Sequence, residues 1–485
     1  MRSSSTQSPF SFSLFFFLAG SGLAGCGLAG CSSTPKGSGF DDASTGASDV
    51  DGGLTVDGSV PPDDSSIPSF GEAGDAPTQC VNLQCQQAHC SPGTKTTVSG
   101  TVYDPAGKNP LYNVIVYVPN APVDPFKPGI SCDKCGALTT GAPVVTTLTG
   151  SDGTFVLEDV PVGQNIPLVM QIGKWRRQIV IPAVAKCTET KLADKDQTRL
   201  PKNHTEGDIP HIAITTGGCD AFECLLRNIG IDDSEFTDPT GSGRIHLYQG
   251  AGGATIGGAT FKGATLWSDA TKLHNYDVMI NSCECSEAAG DKPGPSLQNV
   301  ADYATQGGRM FATHYHYYWI KDGPSASGFP ATASWLASEG FGSASMTTDV
   351  NMTFPKGKAF AEWLVTTGAS TTLGKLAVTS ARYNATAASA PSVEWLTGAN
   401  AGTRALMHYT FNTPVGVPED QQCGKVLFSD FHVIEGNVGS SRDFPAECTA
   451  LTSMTPQQKA LEFMLFDLSS CIQKDTDPPK PPPPR

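Results

Sequence analysis

Two histidines and four aromatic residues crowd one short stretch. His314, Tyr315, His316, Tyr317, Tyr318 and Trp319 follow an apolar run, Met310 to Thr313, which itself follows the pair Gly307-Gly308. If the run continues as a strand, alternation points His314 and His316 to one side. His432 comes after a second run, Lys425 to Phe428, with Asp430 and Glu435 close by. Two or three imidazoles with a carboxylate suit a zinc or iron shell, and they also suit general acid–base work. The aromatic side chains offer flat apolar faces with polar tips, on which sugars and ring compounds stack. A third reading is core packing for half of these residues. The binding edge (His314, Tyr315, His316, Trp319, His432) ranks first, a metal held by His314, His316 and His432 second, and catalysis third.

Cys283-Glu284-Cys285 closes another apolar run, Tyr276 to Asn281. A thiol beside a carboxylate could act as a nucleophile. In an oxidising compartment strand-end cysteines pair instead, here with Cys219 or Cys224 as partners, and pairing is preferred. Cys132-Asp133-Lys134-Cys135 lies in a Pro/Gly-rich loop rather than at a helix start, which favours a local disulfide over a redox pair or half a zinc site. Cys80, Cys85 and Cys90, with His89 among them, read as a disulfide knot rather than a metal site. The Gly-rich segment Gly250 to Gly258 lacks Lys-Ser/Thr and follows no clear strand, so it reads as a loop rather than a phosphate cradle.

These residues need elements to hold them. Residues 96–190 read as short strands with turn signals between them: Thr97 to Tyr103, Val114 to Val118, Val144 to Thr149, Thr154 to Leu157, Ile166 to Ile172 and Arg176 to Ile181. That spacing predicts a sandwich. Residues 191–208 are polar and predict a linker. From 209 the period changes to apolar strands alternating with helices: His211 to Thr215, a helix Ala221 to Asn228, Tyr276 to Asn281, a helix Leu297 to Gln306, and the Met310 strand. A helix Gly357 to Thr367, strands Ala405 to Phe411 and Lys425 to Phe428, and a helix Pro456 to Leu468 follow. The expectation is a β-sandwich followed by an α/β domain, residues 209–472, with a doubly wound, mostly parallel, flavodoxin-like sheet.

Two resemblances sharpen this. The run Val98 to Val118 with Asp152-Gly153-Thr154-Phe155 and Val160-Pro161-Val162-Gly163 resembles the carboxypeptidase regulatory-like domain, which implies a transthyretin-like sandwich with a carbohydrate-binding-like fold. Sugar binding there is a family association only. The order strand, Gly217-Gly218, helix, Tyr276 strand, Gly307-Gly308 strand ending in His314, and late strand leading to Phe431-His432 resembles the class I glutamine amidotransferase-like fold, nearer its trehalose-utilisation (ThuA-like) branch. Amidotransferases carry a nucleophilic Cys at the tight strand-to-helix turn. Here Thr313, His314 and Tyr315 occupy that place, so the resemblance implies the fold without the thiol chemistry. An enzyme is therefore not the leading expectation.

The chain has 485 residues, 15 cysteines and a net charge of −15. No basic footprint exists for nucleic acid, and the cysteine usage suits an oxidising compartment. Phe10 to Ala19 is too short to span a bilayer and suits a signal-peptide core. Leu23-Ala24-Gly25-Cys26 and Leu28-Ala29-Gly30-Cys31 each resemble a bacterial lipobox, so residues 1–31 read as a lipoprotein signal region with Cys26 or Cys31 lipidated. Neither is followed by aspartate, which resembles lipoproteins of the outer membrane. Lipidation at Cys26 leaves fourteen further cysteines, and lipidation at Cys31 leaves thirteen, hence one thiol. Residues 32–79 carry nine acids against Lys36 alone and read as a disordered tether. Residues 80–95 form the Cys-rich knot, and 473–485 a Pro-rich tail, disordered or extended from Pro478. The expected partners are a membrane, through the lipid, and a glycan or small molecule. The leading expectation is a lipid-anchored binding protein; a His-based, metal-dependent hydrolase or isomerase and a structural envelope component are the alternatives.

Overall fold

The burial pattern along each strand decides how the layers assemble. In Thr154–Leu157 the residues alternate exposed and buried, with Phe155 and Leu157 inward and Val156 in solvent. The computed structural model describes residues 80–484 apart from 260, 341, 343, 435–442 and 449–452. The signal region with Cys26 and Cys31, the tether and Glu435 lie outside the described residues.

The first part holds two sheets. Thr97–Thr101 lies between antiparallel Thr154–Leu157 and parallel Glu189–Leu192. The other sheet orders Pro143–Leu148, Ile115–Pro119, Gly163–Ile172 and Trp175–Val184, all antiparallel. Val98, Val116, Val118, Phe155, Leu168 and Met170 share a buried cluster. Cys80 pairs with Cys85, whereas Cys90 reaches across to Cys187.

The second part is one ten-stranded sheet. Six strands are parallel: Phe236–Thr237, Ile245–Gln249, Ile212–Thr216, Val278–Asn281, Arg309–Thr313 and Gly424–Ser429, in that spatial order. Beyond Gly424–Ser429 come four antiparallel strands: Thr403–Thr413, Val393–Asn400, Ala344–Val350 and Lys375–Ala381. Each parallel strand sends alternate side chains to opposite faces. Ile212, Ile214, Ile280, Phe311 and Leu427 pack with helices Phe222–Asn228 and Pro456–Ser469. Ala213, Met279, Met310, Ala312, Val426 and Phe428 pack with helix Gly294–Thr305. Covering both faces is what permits such apolar parallel strands. Strand order reverses between Ile212–Thr216 and Val278–Asn281, and the crevice beyond the carboxyl ends of such strands is where open α/β sheets bind ligands.

Some sequence-based expectations need correction. The Gly250 to Gly258 loop does follow a strand, Ile245–Gln249, and its Ala251 N–H donates to Glu284 Oε1 at 2.7 Å. Cys132 and Cys135 do not bond each other: they reach Cys423 and Cys471, tying the sandwich insertion to the end of the α/β part. The segment after Cys471 is irregular but anchored, because buried Asp475 meets Lys356 at 3.1 Å, bonds Lys425, and accepts from Thr410 Oγ1 at 2.5 Å. Segment 191–208 is also folded, with Leu200 fully buried and Arg199 bonded to Glu206 at 2.6 Å.

Candidate functional site

His314 stands where the Arg309–Thr313 strand stops. Its φ is +39°, left-handed backbone that a side-chain-bearing residue adopts at a cost of roughly 1–3 kcal/mol and keeps only when the surroundings hold it. The chain then enters a 3-10 helix, His314–Tyr317. Residues two apart on a three-fold helix point about 120° apart. His314 and His316 therefore diverge instead of pointing to one side as strand alternation implied. His316 accepts from Trp319 Nε1 at 2.9 Å on Nδ1 and donates from Nε2 to the Ser282 carbonyl at 2.9 Å. Both its nitrogens are used in the interior, so it leaves the expected metal set. Trp319 is 1% exposed and packs against Trp267, so it offers no stacking face to solvent.

The partners of His314 are Cys283 and His432. Cys283 Sγ and His432 Nε2 each lie 3.2 Å from His314 Nδ1. The three donor atoms all fall within 4.8 Å of one another, and all three residues are buried. They come from three places along the sheet edge: the ends of Val278–Asn281 and Arg309–Thr313, and the segment after Gly424–Ser429. Backbone bonds hold each in register. The Cys283 N–H donates to Thr313 Oγ1 at 3.0 Å. Gln457 Nε2 donates to the His432 carbonyl at 2.8 Å, and the Val433 N–H to Asp220 Oδ1 at 2.8 Å. Cys283 is the one free cysteine among the described residues, since Cys285 pairs with Cys219 and Cys224 with Cys448. The expected disulfide thus forms at Cys285 and not at Cys283. The bonded Cys224–Cys448 sulfurs also remove the second cluster of ligand-type residues, that with Glu447, as a metal site.

Over this cluster lie partly exposed side chains that sequence reasoning missed. Glu339 Oε1 is 3.3 Å from His314 Nε2, and Glu339 Oε2 accepts from Tyr315 OH at 3.0 Å. Arg382 Nε is 4.0 Å from Glu339 Oε1. The Arg382 N–H donates to the Asp430 carbonyl at 2.7 Å, and the Asn384 N–H to Asp430 Oδ2 at 2.7 Å. Glu339 and Arg382 carry no motif, because they sit in irregular segments bordering the antiparallel extension of the sheet. Cys283 did leave a trace: thirteen cysteines lie from Cys80 onward, an odd number, so they cannot all pair among themselves.

Burial dominates the electrostatics. It pushes the Cys283 thiol up to about 12, against which the Tyr315 and Cys285 backbone N–H groups pull only weakly. It holds His314 below the usual imidazole range despite Glu339, and His432 and His316 well below it. Without a metal ion, burial favours neutral imidazoles and a protonated thiol here, and a thiolate at Cys283 calls for a compensating positive charge beside it.

No protein-family model matches the chain, and no curated protein matches it. Among solved structures, a ThuA-like protein from Bacteroides uniformis aligns over 52% of this chain and 88% of its own at 11% identity, with a TM-score of 0.30. Two type II cohesin–X-dockerin complexes from Acetivibrio cellulolyticus align over 30% and 28% of this chain and 75% and 85% of theirs. Their identities are 14% and 16% and their TM-scores 0.15 and 0.16. Likenesses this faint carry no functional information.

Proposed function

We propose that the α/β part binds a small polar ligand carrying a carboxylate at the carboxyl edge of its parallel strands. The observation that supports this is where hydrogen-bonding capacity is left over. Buried polar atoms are nearly always paired, and each exception calls for an explanation. Arg382 Nη1, Asn384 Oδ1, Asp430 Oδ1 and His432 Nδ1 have no hydrogen-bond partner among the described residues, and they gather at this one edge. Arg382 Nη1 is a fixed, charged donor, for which a carboxylate is the matching acceptor. Asn384 Oδ1 is an acceptor suited to a hydroxyl beside it. Sugar acids combine both groups, which keeps the glycan expectation but moves recognition from the aromatic faces to Arg382 and Asn384. Titration calorimetry of the full chain with D-glucuronate and with D-glucose tests it. Glucuronate is expected to bind more tightly, with Arg382→Gln weakening it about 10-fold or more, since a hydrogen bond to a charged group contributes roughly 1.5–3 kcal/mol. Equal binding of both sugars, or no change in Arg382→Gln, would sink the reading.

The chain as a whole we read as an envelope lipoprotein, anchored through Cys26 or Cys31 and extended on an acidic tether. No helix among the described residues is long and apolar enough to cross a membrane. A lipid on one of those cysteines is expected to carry metabolically incorporated palmitate, lost in Cys26→Ala or in Cys31→Ala. Label retained in the double variant removes the anchor.

A further inference from the structure

The contacts around His314 Nδ1 do not close as hydrogen bonds. This nitrogen has either one lone pair or one proton, yet it faces two heteroatoms, Cys283 Sγ and His432 Nε2, at 3.2 Å each. If Nδ1 carries the lone pair, the thiol S–H and an imidazole N–H compete for it. If Nδ1 carries the proton, one of the two neighbours goes without. No assignment of protons satisfies both contacts, and all three groups are shut away from bulk water. A single cation accepts all three lone pairs at once.

Distance points the same way. A point equidistant from three atoms at such spacings lies roughly 2 Å from each, which is the length of a zinc–nitrogen bond and shorter than any hydrogen bond from a water molecule. The nearest orienting group also fits. Metal-bound imidazoles present their other nitrogen to a carboxylate or carbonyl, and Glu339 Oε1 stands 3.3 Å from His314 Nε2. One thiolate with two imidazoles is a borderline-soft donor set that selects zinc over magnesium or calcium.

We propose that Cys283, His314 and His432 form a zinc site, with Glu339 as the positioning residue behind His314. Binding transfers the Cys283 thiol proton to solvent, and the thiolate, two neutral imidazoles and the ion then form a complex of net charge +1. Three protein donors leave one coordination position open, and the partly exposed Tyr315, Glu339 and Arg382 lie over the cluster. The inference rests on the same sheet edge as the carboxylate-binding reading. Metal content is measured apart from ligand affinity, so either can fail alone.

The test uses the full-length chain purified without chelator. Elemental analysis is expected to find about one zinc per chain. After removal of zinc, titration with Co(II) is expected to give the strong visible bands of a tetrahedral centre together with a thiolate-to-cobalt charge-transfer band in the near ultraviolet. Cys283→Ser should lose the charge-transfer band, and His432→Gln should bind Co(II) at least 100-fold more weakly. Glu339→Gln should weaken binding by 10–100-fold while keeping the spectrum, as losses of outer-shell partners do. Far-ultraviolet circular dichroism of each variant guards against simple misfolding, and the Glu339→Gln spectrum carries the test if Cys283→Ser fails to fold. A chain that binds neither zinc nor cobalt overturns the proposal. So does cobalt binding without a sulfur band, or full affinity in folded His432→Gln.

Discussion

His408 shows what an unpaired buried group does to the whole chain. It lies in Thr403–Thr413, fully buried between the rings of Phe311 and Phe431 at 6.2 and 6.0 Å, and neither ring nitrogen has a partner among the described residues. Burial takes its pKa down to about 3. Above pH 6.5 the imidazole is neutral in both folded and unfolded chains and contributes no pH dependence. Between 6.5 and about 3 only the unfolded chain takes the proton, so stability falls as pH falls, by about 1.4 kcal/mol per unit. His408→Leu removes this slope. The stability lost between pH 7 and pH 5, read from urea unfolding at each pH, is expected to shrink by roughly 2 kcal/mol in the variant; parallel curves for the two proteins would refute it. A histidine inside the apolar run Ala405 to Phe411 gives no hint of this in sequence. His314 and His432, by contrast, are readable as strand-end residues, because apolar runs stop just before them. His316 was misread for a local reason: a pattern of alternation cannot tell that the chain turns at Thr313.

Elements were legible where burial left a periodic trace. Val278–Asn281 and Gly424–Ser429 are uniformly buried and uniformly apolar enough to stand out. Ile245–Gln249 did not stand out, because His246 and Gln249 interrupt it; His246 is accommodated by a 2.9 Å bond between its Nδ1 and Tyr276 OH. The antiparallel strand Ala344–Val350 was missed because much of it is exposed and rich in Ser and Thr. That omission hid Glu339 and Arg382, which border the extension, and so half of the candidate site. One turn shows how tightly elements constrain each other. Gly173 links Gly163–Ile172 to Trp175–Val184 with φ +56°, and a Cβ there would overlap the Ser469 carbonyl oxygen at the end of helix Pro456–Ser469. Left-handed backbone and a rigid backbone neighbour add their costs. Gly173→Ala is expected to destabilise the protein by more than about 2 kcal/mol, measured by urea unfolding against Gly402→Ala. Gly402 also has positive φ, +84°, but a Cβ there meets no atom within 4 Å. Equal losses at the two positions would show that the helix contact contributes nothing.

At the scale of the whole molecule, the sequence suggests two domains and a linker, whereas the buried contacts run across both. One apolar cluster joins Val98, Phe155 and Met170 to Ile214, Trp363 and Phe466. Trp363 Nε1 donates to the Pro110 carbonyl at 2.6 Å, and Tyr112 stacks on Phe463 at 5.8 Å. Such contacts need three-dimensional adjacency between segments far apart in the chain, and no local pattern encodes that. The two long-range disulfides act on the same seam. Cys132–Cys423 and Cys135–Cys471 span 291 and 336 residues, so each closes a large loop and removes much freedom from the unfolded chain. With Cys132–Cys423 in place, the Cys135–Cys471 cross-link closes only the path through residues 132–135 and 423–471, roughly fifty residues, and is expected to stabilise by about 4 kcal/mol on the chain-entropy account. Replacing Cys135 and Cys471 together by serine should lower the unfolding free energy by that amount. The insertion should stay docked, because Cys132–Cys423 remains and Lys134 Nζ still donates to the Glu419 carbonyl at 2.5 Å. Because the disulfide acts mainly on the unfolded ensemble, amide chemical shifts of the folded protein should change little beyond the insertion, while core amides that exchange only by global unfolding lose protection by the same amount. A loss below about 1 kcal/mol, or chemical-shift changes spread through the sandwich, would place the effect of this cross-link in the folded structure instead.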